Sequence, residues 1–369
     1  MKFSCETYLL RQAVNVASRC AASKSPVPAL EGLLLEAGGN IRVTGYDLKK
    51  GVYTTFQADV AETGAIVLNA RLFGNIVNSL SDGIVTVQTE GIKATITCGA
   101  AEFSLLGTES GEYPELPAVD RQNAVTIPQN TLSKMIRQTI FAVSDNESRP
   151  IYTGSLFEIE GQTLTVVAVD GYRLAMRKET VDKNNLEDCS FVVPAAALND
   201  AEKLCSDTDD GVDITVGTKH ISFAVGDTVL VSRRLEGEFL NYKKSVPTEF
   251  SINFTVSRDD FMKAVSRVSL IIDEKTKNPL RLYVQRDNIT IRCRTAVGEG
   301  EDGCAVKTEG EPSLVIGFNN RYLLDALKAA PAEEIKMGLN SASAPGVIYP
   351  ADGSGSFTYM ILPVRLREE

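Results

Sequence analysis

The sequence predicts an α+β protein made of three tandem copies of one unit, each with two amphipathic helices against antiparallel sheet. Three observations carry that expectation. A short strand followed by a helix with apolar residues at i, i+3, i+4 and i+7 occurs three times. A second strand–helix–strand pattern also occurs three times, opened by Val67, Val192 and Val315 at intervals of 125 and 123 residues. An aspartate at the end of an apolar strand, Asp47, returns as Asp170, 123 residues on. So long a period lies outside the ordinary solenoid repeats, and alternating strands between helices suit helices packed on one face of a sheet.

In the first copy Phe3 opens a strand, and Leu10, Ala13, Val14 and Ala17 form the buried stripe of the helix that follows. Ile41 to Tyr46 alternates as a strand into the Asp47 turn. Val67-Leu68-Asn69 then leads into Leu72, Phe73, Ile76, Val77 and Leu80, with a strand at Ile84-Val85-Thr86-Val87. The second copy repeats each step. Val125-Thr126-Ile127-Pro128 precedes Leu132, Met135, Ile136 and Thr139, with Pro128 tolerated at a helix start. Leu164 to Val169 runs into Asp170-Gly171, a hairpin signal because glycine accepts positive φ. Val192-Val193-Pro194 leads into Ala197, Leu198, Ala201 and Leu204, and Val212 to Val216 alternates again.

The third copy starts at Phe254-Thr255-Val256-Ser257 and continues through Phe261, Ala264, Val265 and Val268. Ser257 with Asp260 resembles a capping box, with Asp in place of Glu. Ile289 to Arg294 keeps the strand and loses the aspartate turn. Val315-Ile316-Gly317 leads into Leu323, Leu324 and Leu327, and Ile335-Lys336-Met337 closes the pattern. Proline-bearing stretches at Tyr113 to Pro117 and Tyr242 to Pro247 suit junctions, which divides the chain into domains 1–120, 121–247 and 248–369.

Composition narrows the function. The 369 residues are 43% apolar and 23% charged, values of a folded chain. No apolar run reaches membrane-spanning length and the N-terminus lacks a signal-peptide core, which implies a cytoplasmic protein without a membrane partner. Seven scattered cysteines, never in C-x-x-C spacing, suit buried thiols better than disulfides or zinc. His220 is the one histidine and sits in a strand-and-turn context. The net charge of -10 opposes tight nucleic-acid binding, since affinity for DNA normally comes from neutralising phosphates.

Catalytic motifs are missing: there is no P-loop, GxGxxG, GxSxG or HExxH. The acidic pairs Asp209-Asp210, Asp259-Asp260 and Glu333-Glu334 are expected at helix starts or turns, where carboxylates suit the helix dipole. Asp170 with Arg173 lacks a nucleophile. An enzyme therefore has no residue set to stand on, and no cofactor or metal is implied. The polar helix positions carry a moderate basic surplus (Arg11, Arg19, Arg71, Lys134, Arg137, Lys203, Lys263, Arg267, Arg321 and Lys328), diluted by Asp200, Glu202 and Asp325.

The chain resembles the bacterial DNA polymerase III β subunits, the sliding clamps, across residues 1–366. The residues that carry the likeness are Met1-Lys2-Phe3, Arg149-Pro150-Ile151-Tyr152-Thr153-Gly154, Asp170-Gly171-Tyr172-Arg173-Leu174-Ala175, Glu238-Phe239-Leu240-Asn241-Tyr242, Ile316-Gly317-Phe318-Asn319 and Tyr359-Met360-Ile361-Leu362-Pro363-Val364-Arg365-Leu366. Tyr172 stands where the family often has His, Val169 where Thr is common, and residues 367–369 extend past the usual end. The resemblance implies three DNA-clamp domains per chain and a head-to-tail homodimeric ring, with helices lining the hole and antiparallel sheets outside. Such a ring encircles duplex DNA and tethers the replicative polymerase without chemistry of its own. Retention by topology would reconcile DNA with an acidic chain. A specialised paralogue serving repair or a mobile element is the alternative, and an enzyme on a triplicated fold is a further one that would need the catalytic residue set the sequence lacks.

Carried over residue by residue, the resemblance implies a partner-peptide pocket at Tyr152, Val169, Gly171, Tyr172, Arg173, Leu174, Leu240, Lys244 and Gly346, with Met360, Ile361, Leu362, Pro363, Val364 and Arg365 from the tail. The plainer alternative for the tail is a last strand. Lys24, Asn146 and Arg149 on loops, with Arg71, Lys134 and Arg137 on helices, are the DNA-facing candidates. Phe103 and Leu105 would meet Leu270 and Ile271 of a neighbouring copy. Implied partners are duplex DNA, a second copy of the chain, the polymerase III catalytic subunit, the clamp loader complex and other proteins bearing a clamp-binding motif.

Overall fold

Among the described residues, helices form where the apolar stripes place them, apart from a single turn in the stretch read as the second junction. They are α1 (Thr7–Ser18), α2 (Ala70–Ser79), α3 (Gln129–Arg137), α4 (Ala195–Leu204), the single turn α5 (Tyr242–Ser245), α6 (Arg258–Ser269) and α7 (Asn320–Ala329). The computed structural model describes residues 1–119, 124–184, 187–273, 278–310 and 313–366. The expected boundary at 120/121 and residues 367–369 lie outside the described residues. Leu10, Val14 and Ala17 of α1 and Phe261, Ala264 and Val265 of α6 are fully buried. Side-chain caps start three of the helices: Asn69 Oδ1 accepts the Leu72 N–H at 3.0 Å, Ser257 Oγ that of Asp260 at 3.3 Å, and Asn319 Oδ1 that of Arg321 at 2.9 Å.

One stripe ends early. Thr139 was expected on α3, yet the helix stops at Arg137. Thr139 Oγ1 donates to the Met135 carbonyl at 2.8 Å, satisfying an orphan helix end, and the chain passes into a 3₁₀ turn at Ile140–Ala142. Of the acidic pairs, Asp259-Asp260 lies in the first turn of α6. Asp209 Oδ1 accepts the Asn130 amide at 2.9 Å near the start of α3.

Each copy runs strand, helix, five strands, helix, three strands among the described residues. The copies do not keep their sheets to themselves. One compact unit (Met1–Ser133, Asp182–Glu187, Ala196–Arg234) holds a five-stranded sheet, ordered Asp59–Glu62, Lys2–Glu6, Ile84–Glu90, Lys93–Cys98, Ala101–Leu106. It also holds a nine-stranded sheet in which Thr228–Arg233 of the second copy pairs antiparallel with Lys50–Phe56 of the first, from Thr228↔Thr54 to Ser232↔Lys50. Phe3, Leu10, Phe73, Val85 and Ile96 share this unit's main core.

The other unit (Lys134–Val181, Asp188–Ala195, Leu235–Glu369) follows the same plan. Its nine-stranded sheet is joined where Phe357–Ile361 of the third copy pairs with Arg173–Thr180 of the second, from Arg173↔Ile361 to Arg177↔Phe357. A four-stranded sheet ends on the edge strand Gly298–Ala305. Its main core gathers Phe254, Phe261, Phe318, Phe357 and Tyr359.

The two junction stretches are anchored, not loose. Tyr113 is buried and its hydroxyl donates to the Thr44 carbonyl at 3.4 Å. Tyr242 is buried and its hydroxyl donates to the Glu158 carboxylate. Burial likewise pushes the Cys5 and Cys20 thiols up to about 12, so neither is a nucleophile at neutral pH.

His220 opens the strand His220–Val225 and is half-buried. Burial, then the charges of Arg233 and Lys219, lowers its pKa from the usual 6.5. The folded chain thus binds this proton more weakly than the unfolded one. The neutral ring's contribution is present above pH 6.5 and is lost as the pH falls through the lowered folded pKa. The single imidazole resonance in a proton NMR titration is expected to have its midpoint below 6.5; a midpoint at or above that value would contradict the burial seen here.

Candidate functional site

Two aspartate turns share one geometry. Asp47 Oδ1 accepts the N–H groups of Lys49 at 2.8 Å and Lys50 at 2.7 Å. Asp170 Oδ1 accepts those of Tyr172 at 2.8 Å and Arg173 at 3.0 Å. The residue after each aspartate has positive φ: 71° at Leu48 and 92° at Gly171. Glycine relieves at position 171 the strain that Leu48 bears. In the third copy Thr295 replaces the aspartate, its Oγ1 accepting the Val297 N–H at 3.3 Å and donating to the Gly298 carbonyl at 3.2 Å.

Arg173 is not a solvated tip. It is 8% exposed, and its guanidinium is engaged on every side. Nε donates to Asp170 at 2.9 Å, Nη1 to Asp325 of α7 at 2.6 Å, and Nη2 to the Phe141 carbonyl. Its carbon centre lies 4.5 Å from the Tyr322 ring centroid and 5.3 Å from that of Phe141. Tyr172, 62% exposed, stacks on the other part of this aromatic group, with ring centroids 6.1 Å from Tyr322. A cavity of about 690 Å³ opens here, lined by Tyr152, Gly171, Tyr172, Arg173 and Tyr322 together with Asn146 and Arg149 of the preceding loop.

Beside it, one sheet face carries a separate apolar cluster. Val169, Leu174 and Met360 belong to it with Val347 and Tyr242, and Tyr152, Leu240 and Phe239 pack against it. Tyr152 and Phe239 meet edge-on at 5.5 Å between centroids. The structure thus brings together Tyr152, Val169, Leu174, Leu240 and Met360, as strand alternation requires. Gly346 and Ile361 fall on the other face: Ile361 is in the main core, and a Cβ on Gly346 would meet Met337 and Phe318 there. Lys244 is exposed on α5.

The tail divides in two. Met360 and Ile361 belong to the last strand, Phe357–Ile361, paired to Leu174 and Arg173. Leu362, Pro363, Val364 and Arg365 lie beyond it. Pro363 has no N–H to offer a ladder. The tail is instead pinned by the Leu362 N–H to the Tyr172 carbonyl and the Val364 N–H to the Gly317 carbonyl, both 2.8 Å. A Cβ on Gly317 would lie 2.5 Å from the Leu366 side chain, so glycine lets the tail close on this strand. Leu362 is 37% exposed beside Tyr172.

Among the DNA-facing candidates, Lys24 and Arg71 are exposed in the first unit, and Lys134, Arg137, Asn146 and Arg149 are exposed in the second. Asn146 shapes its own loop, its Oδ1 accepting the Ser148 N–H at 3.0 Å. The basic surplus is smaller than the sequence suggests, since Arg11 pairs with Asp82 at 3.2 Å and Arg267 with Asp302. At the edges, Phe103 and Leu105 lie half-buried on Ala101–Leu106, Leu270 is 84% exposed at the end of α6, and Ile271 is half-buried against the third-copy core.

Sequence reasoning missed Asp325, Tyr322 and Phe141 as partners of Arg173, and Lys50 with Asp200 as a second ion pair. Lys50 Nζ donates to Asp200 of α4 and, at 3.0 Å, to the Arg19 carbonyl. Burial opposes the Lys50 charge, but the hydrogen bond to Asp200 and the negative groups around it outweigh burial, so its pKa ends above the usual value. One signal was available: Asp200 and Asp325 each stand sixth in the second helix of their copy.

Comparisons with known proteins agree along the whole chain. Residues 1–117, 126–241 and 243–365 match the family models described as the N-terminal, central and C-terminal domains of the DNA polymerase III beta subunit. The beta sliding clamp of Synechococcus elongatus is 32% identical, with 100% of each chain covered. That of Bacillus subtilis is 30% identical, covering 99% of this chain and 100% of the relative. The crystal structure of the B. subtilis DNA polymerase sliding clamp superposes with a TM-score of 0.96 at 29% identity, over 100% of both chains. A Pseudomonas aeruginosa sliding clamp bound to griselimycin gives 0.94 at 26%, over 99% of this chain and 100% of that one. Three matched domains in tandem, on a fold shared end to end with these clamps, show that the chain belongs to the DNA polymerase III beta subunit family.

Proposed function

We propose that two copies of this chain close head to tail into a ring that encircles duplex DNA and tethers the replicative polymerase for processive synthesis. One observation carries the reading. At both joints inside the chain, the last strand of one copy pairs with the fourth strand of the copy before it: Thr228–Arg233 with Lys50–Phe56, and Phe357–Ile361 with Arg173–Thr180. The corresponding strands left over are Ala101–Leu106 and Gly298–Ala305, each at the edge of its sheet. A second copy repeating the same pairing covers both edges, which a soluble chain otherwise has to blunt. Phe103 and Leu105 on one edge then face Leu270 and Ile271 beside the other.

The domain division at 1–120, 121–247 and 248–369 belongs to this proposal. So does a non-catalytic role, since the site is an apolar surface beside a saturated ion cluster. The sheet face of Val169, Leu174, Met360, Tyr152 and Leu240 suits a short apolar motif on the polymerase III catalytic subunit, the clamp loader complex and other replication and repair proteins. Among the described residues no helix is long and apolar enough to cross a membrane, and a bacterial cytoplasmic setting is part of the same reading. With a net charge of -10, retention on DNA has to come from closure more than from phosphate contacts.

Retention tests this. After loading, the protein is expected to stay on nicked circular DNA and to run off the same DNA once linearised; equal retention on both would sink the ring. Sedimentation is expected at twice the 39.9 kDa chain mass at micromolar protein.

A further inference from the structure

The two ion pairs are the same device. Leu10, Leu132 and Phe261 hold the same step in the first helices of the three copies, and nine residues on from each stand Arg19, Phe141 and Leu270. Lys50 and Arg173 each close an aspartate turn. Each donates to the carbonyl at that post-helix step of its own copy, Arg19 or Phe141. Each also reaches the sixth residue of the next copy's second helix, Asp200 or Asp325. The cation, carbonyl and carboxylate therefore recur as a set at both joints inside the chain. The side chains concerned are 16% and 11% exposed for Lys50 and Asp200, and 9% and 25% for Arg173 and Asp325.

The third set is broken at both ends. Where the third copy would supply the cation stands Gly298, in the turn closed by Thr295. Where the first copy would supply the carboxylate stands Asn75, sixth in α2. Leu270 occupies the post-helix step, its side chain exposed. We propose that Lys50–Asp200 and Arg173–Asp325 are positioning clasps that hold the two joints within the chain shut, and that the joint between copies is built without a clasp so that it alone can open.

The physical basis is the path, not the end point. A desolvated pair that begins to separate leaves each charge short of both counter-ion and water, so a clasped joint resists partial opening. Apolar surfaces such as Leu270 against Phe103 part without exposing an unpaired charge. The part concerning the joint between copies rests on the ring reading; the clasps themselves do not.

Hydrogen exchange on the full-length chain tests the clasps whatever its oligomeric state. Asp200→Asn is expected to speed exchange in Lys50–Phe56 and Thr228–Arg233 by about tenfold or more, with the Lys2–Glu6 and Ile84–Glu90 pair unchanged. The double variant Lys50→Met with Asp200→Leu replaces the clasp by an apolar contact and is expected to exchange more slowly than Asp200→Asn but still at least about threefold faster than the parent. Parent-like exchange in Asp200→Asn, or in the apolar double variant, would overturn the clasp. Asn75→Asp, which places an unpaired carboxylate in the joint between copies, is expected to shorten the dimer's lifetime about tenfold and to leave the strands around Lys50 as they were. An unchanged dimer lifetime would overturn the mapping of Asn75. A chain that is monomeric to begin with would defeat the ring reading and leave the exchange result standing.

Discussion

Arg173→Ala is expected to lower the unfolding free energy of the second unit by about 3 kcal/mol, the scale for removing one partner of a buried ion pair. The substitution leaves Asp325 without its counter-ion, Asp170 with only its backbone donors, and the Phe141 carbonyl without its donor. It also removes the cation from between Tyr322 and Phe141, worth about 0.5–1 kcal/mol more. Arg173→Lys keeps the charge but replaces three donor nitrogens spread over a planar fork with one, whose donors all leave from a single point and cannot reach acceptors placed around Nε, Nη1 and Nη2, so an intermediate loss is expected. Urea unfolding followed by circular dichroism measures both. If Arg173→Ala unfolds within about 0.5 kcal/mol of the parent, the range of an ordinary surface substitution, the arginine is a ligand-facing group and not a structural one.

Removal of residues 362–366 is expected to lower affinity for a clamp-binding peptide at least tenfold while the fold and dimer persist. The cut has to begin at Leu362. Met360 and Ile361 are ladder partners of Leu174 and Arg173, and Met360 sits in the apolar cluster itself, so a deletion starting at 360 would damage the sheet as well as the site. Residues 362–366 hold on through two backbone hydrogen bonds and the contact of Leu366 with the Gly317 strand. Fluorescence polarisation with a labelled peptide reads the affinity, and polymerase stimulation should fall with it. Undiminished peptide binding would remove the tail from the pocket and leave Val169, Leu174 and Met360 as its whole apolar content.

What the sequence disclosed follows from how far each signal reaches. Helix stripes and strand alternation are local, and so α1, α2, α4, α6 and α7 fall where Leu10, Phe73, Leu198, Phe261 and Leu323 place them. The Asp47 and Asp170 turns were visible because a side chain bonding its own backbone two and three residues on needs only a short window. Arg173 with Asp325 was not visible, since 152 residues separate them and the one available signal, the shared sixth position of Asp200 and Asp325, marks the acids without naming their cation. Asp200 and Asp325 looked like acids diluting a basic helix face until the ion pairs showed what they hold. The buried tyrosines of the junctions escaped for a related reason: proline signals a turn and is silent about what lies beneath it. Met360 to Leu366 reads as a last strand or, through Arg365, as a pocket wall, and the strand in fact ends at Ile361, with Leu362 already outside the ladder.

The nine-stranded sheets also set an order on how the chain acquires its structure. Thr54 and Thr228, which touch at 2.8 Å across the first joint, are 174 residues apart. A ribosome must therefore have released everything through Arg233 before the first copy's edge at Lys50–Phe56 finds its neighbour. Until then that edge waits uncovered, a long-range pairing of the kind that folds late and invites misassociation. The middle copy meets the same difficulty from both sides, giving one set of strands to the copy before it and another to the copy after. Excised as a fragment spanning 124–241, it would carry two orphan edges and is expected to be insoluble, although it contains the whole matched central domain.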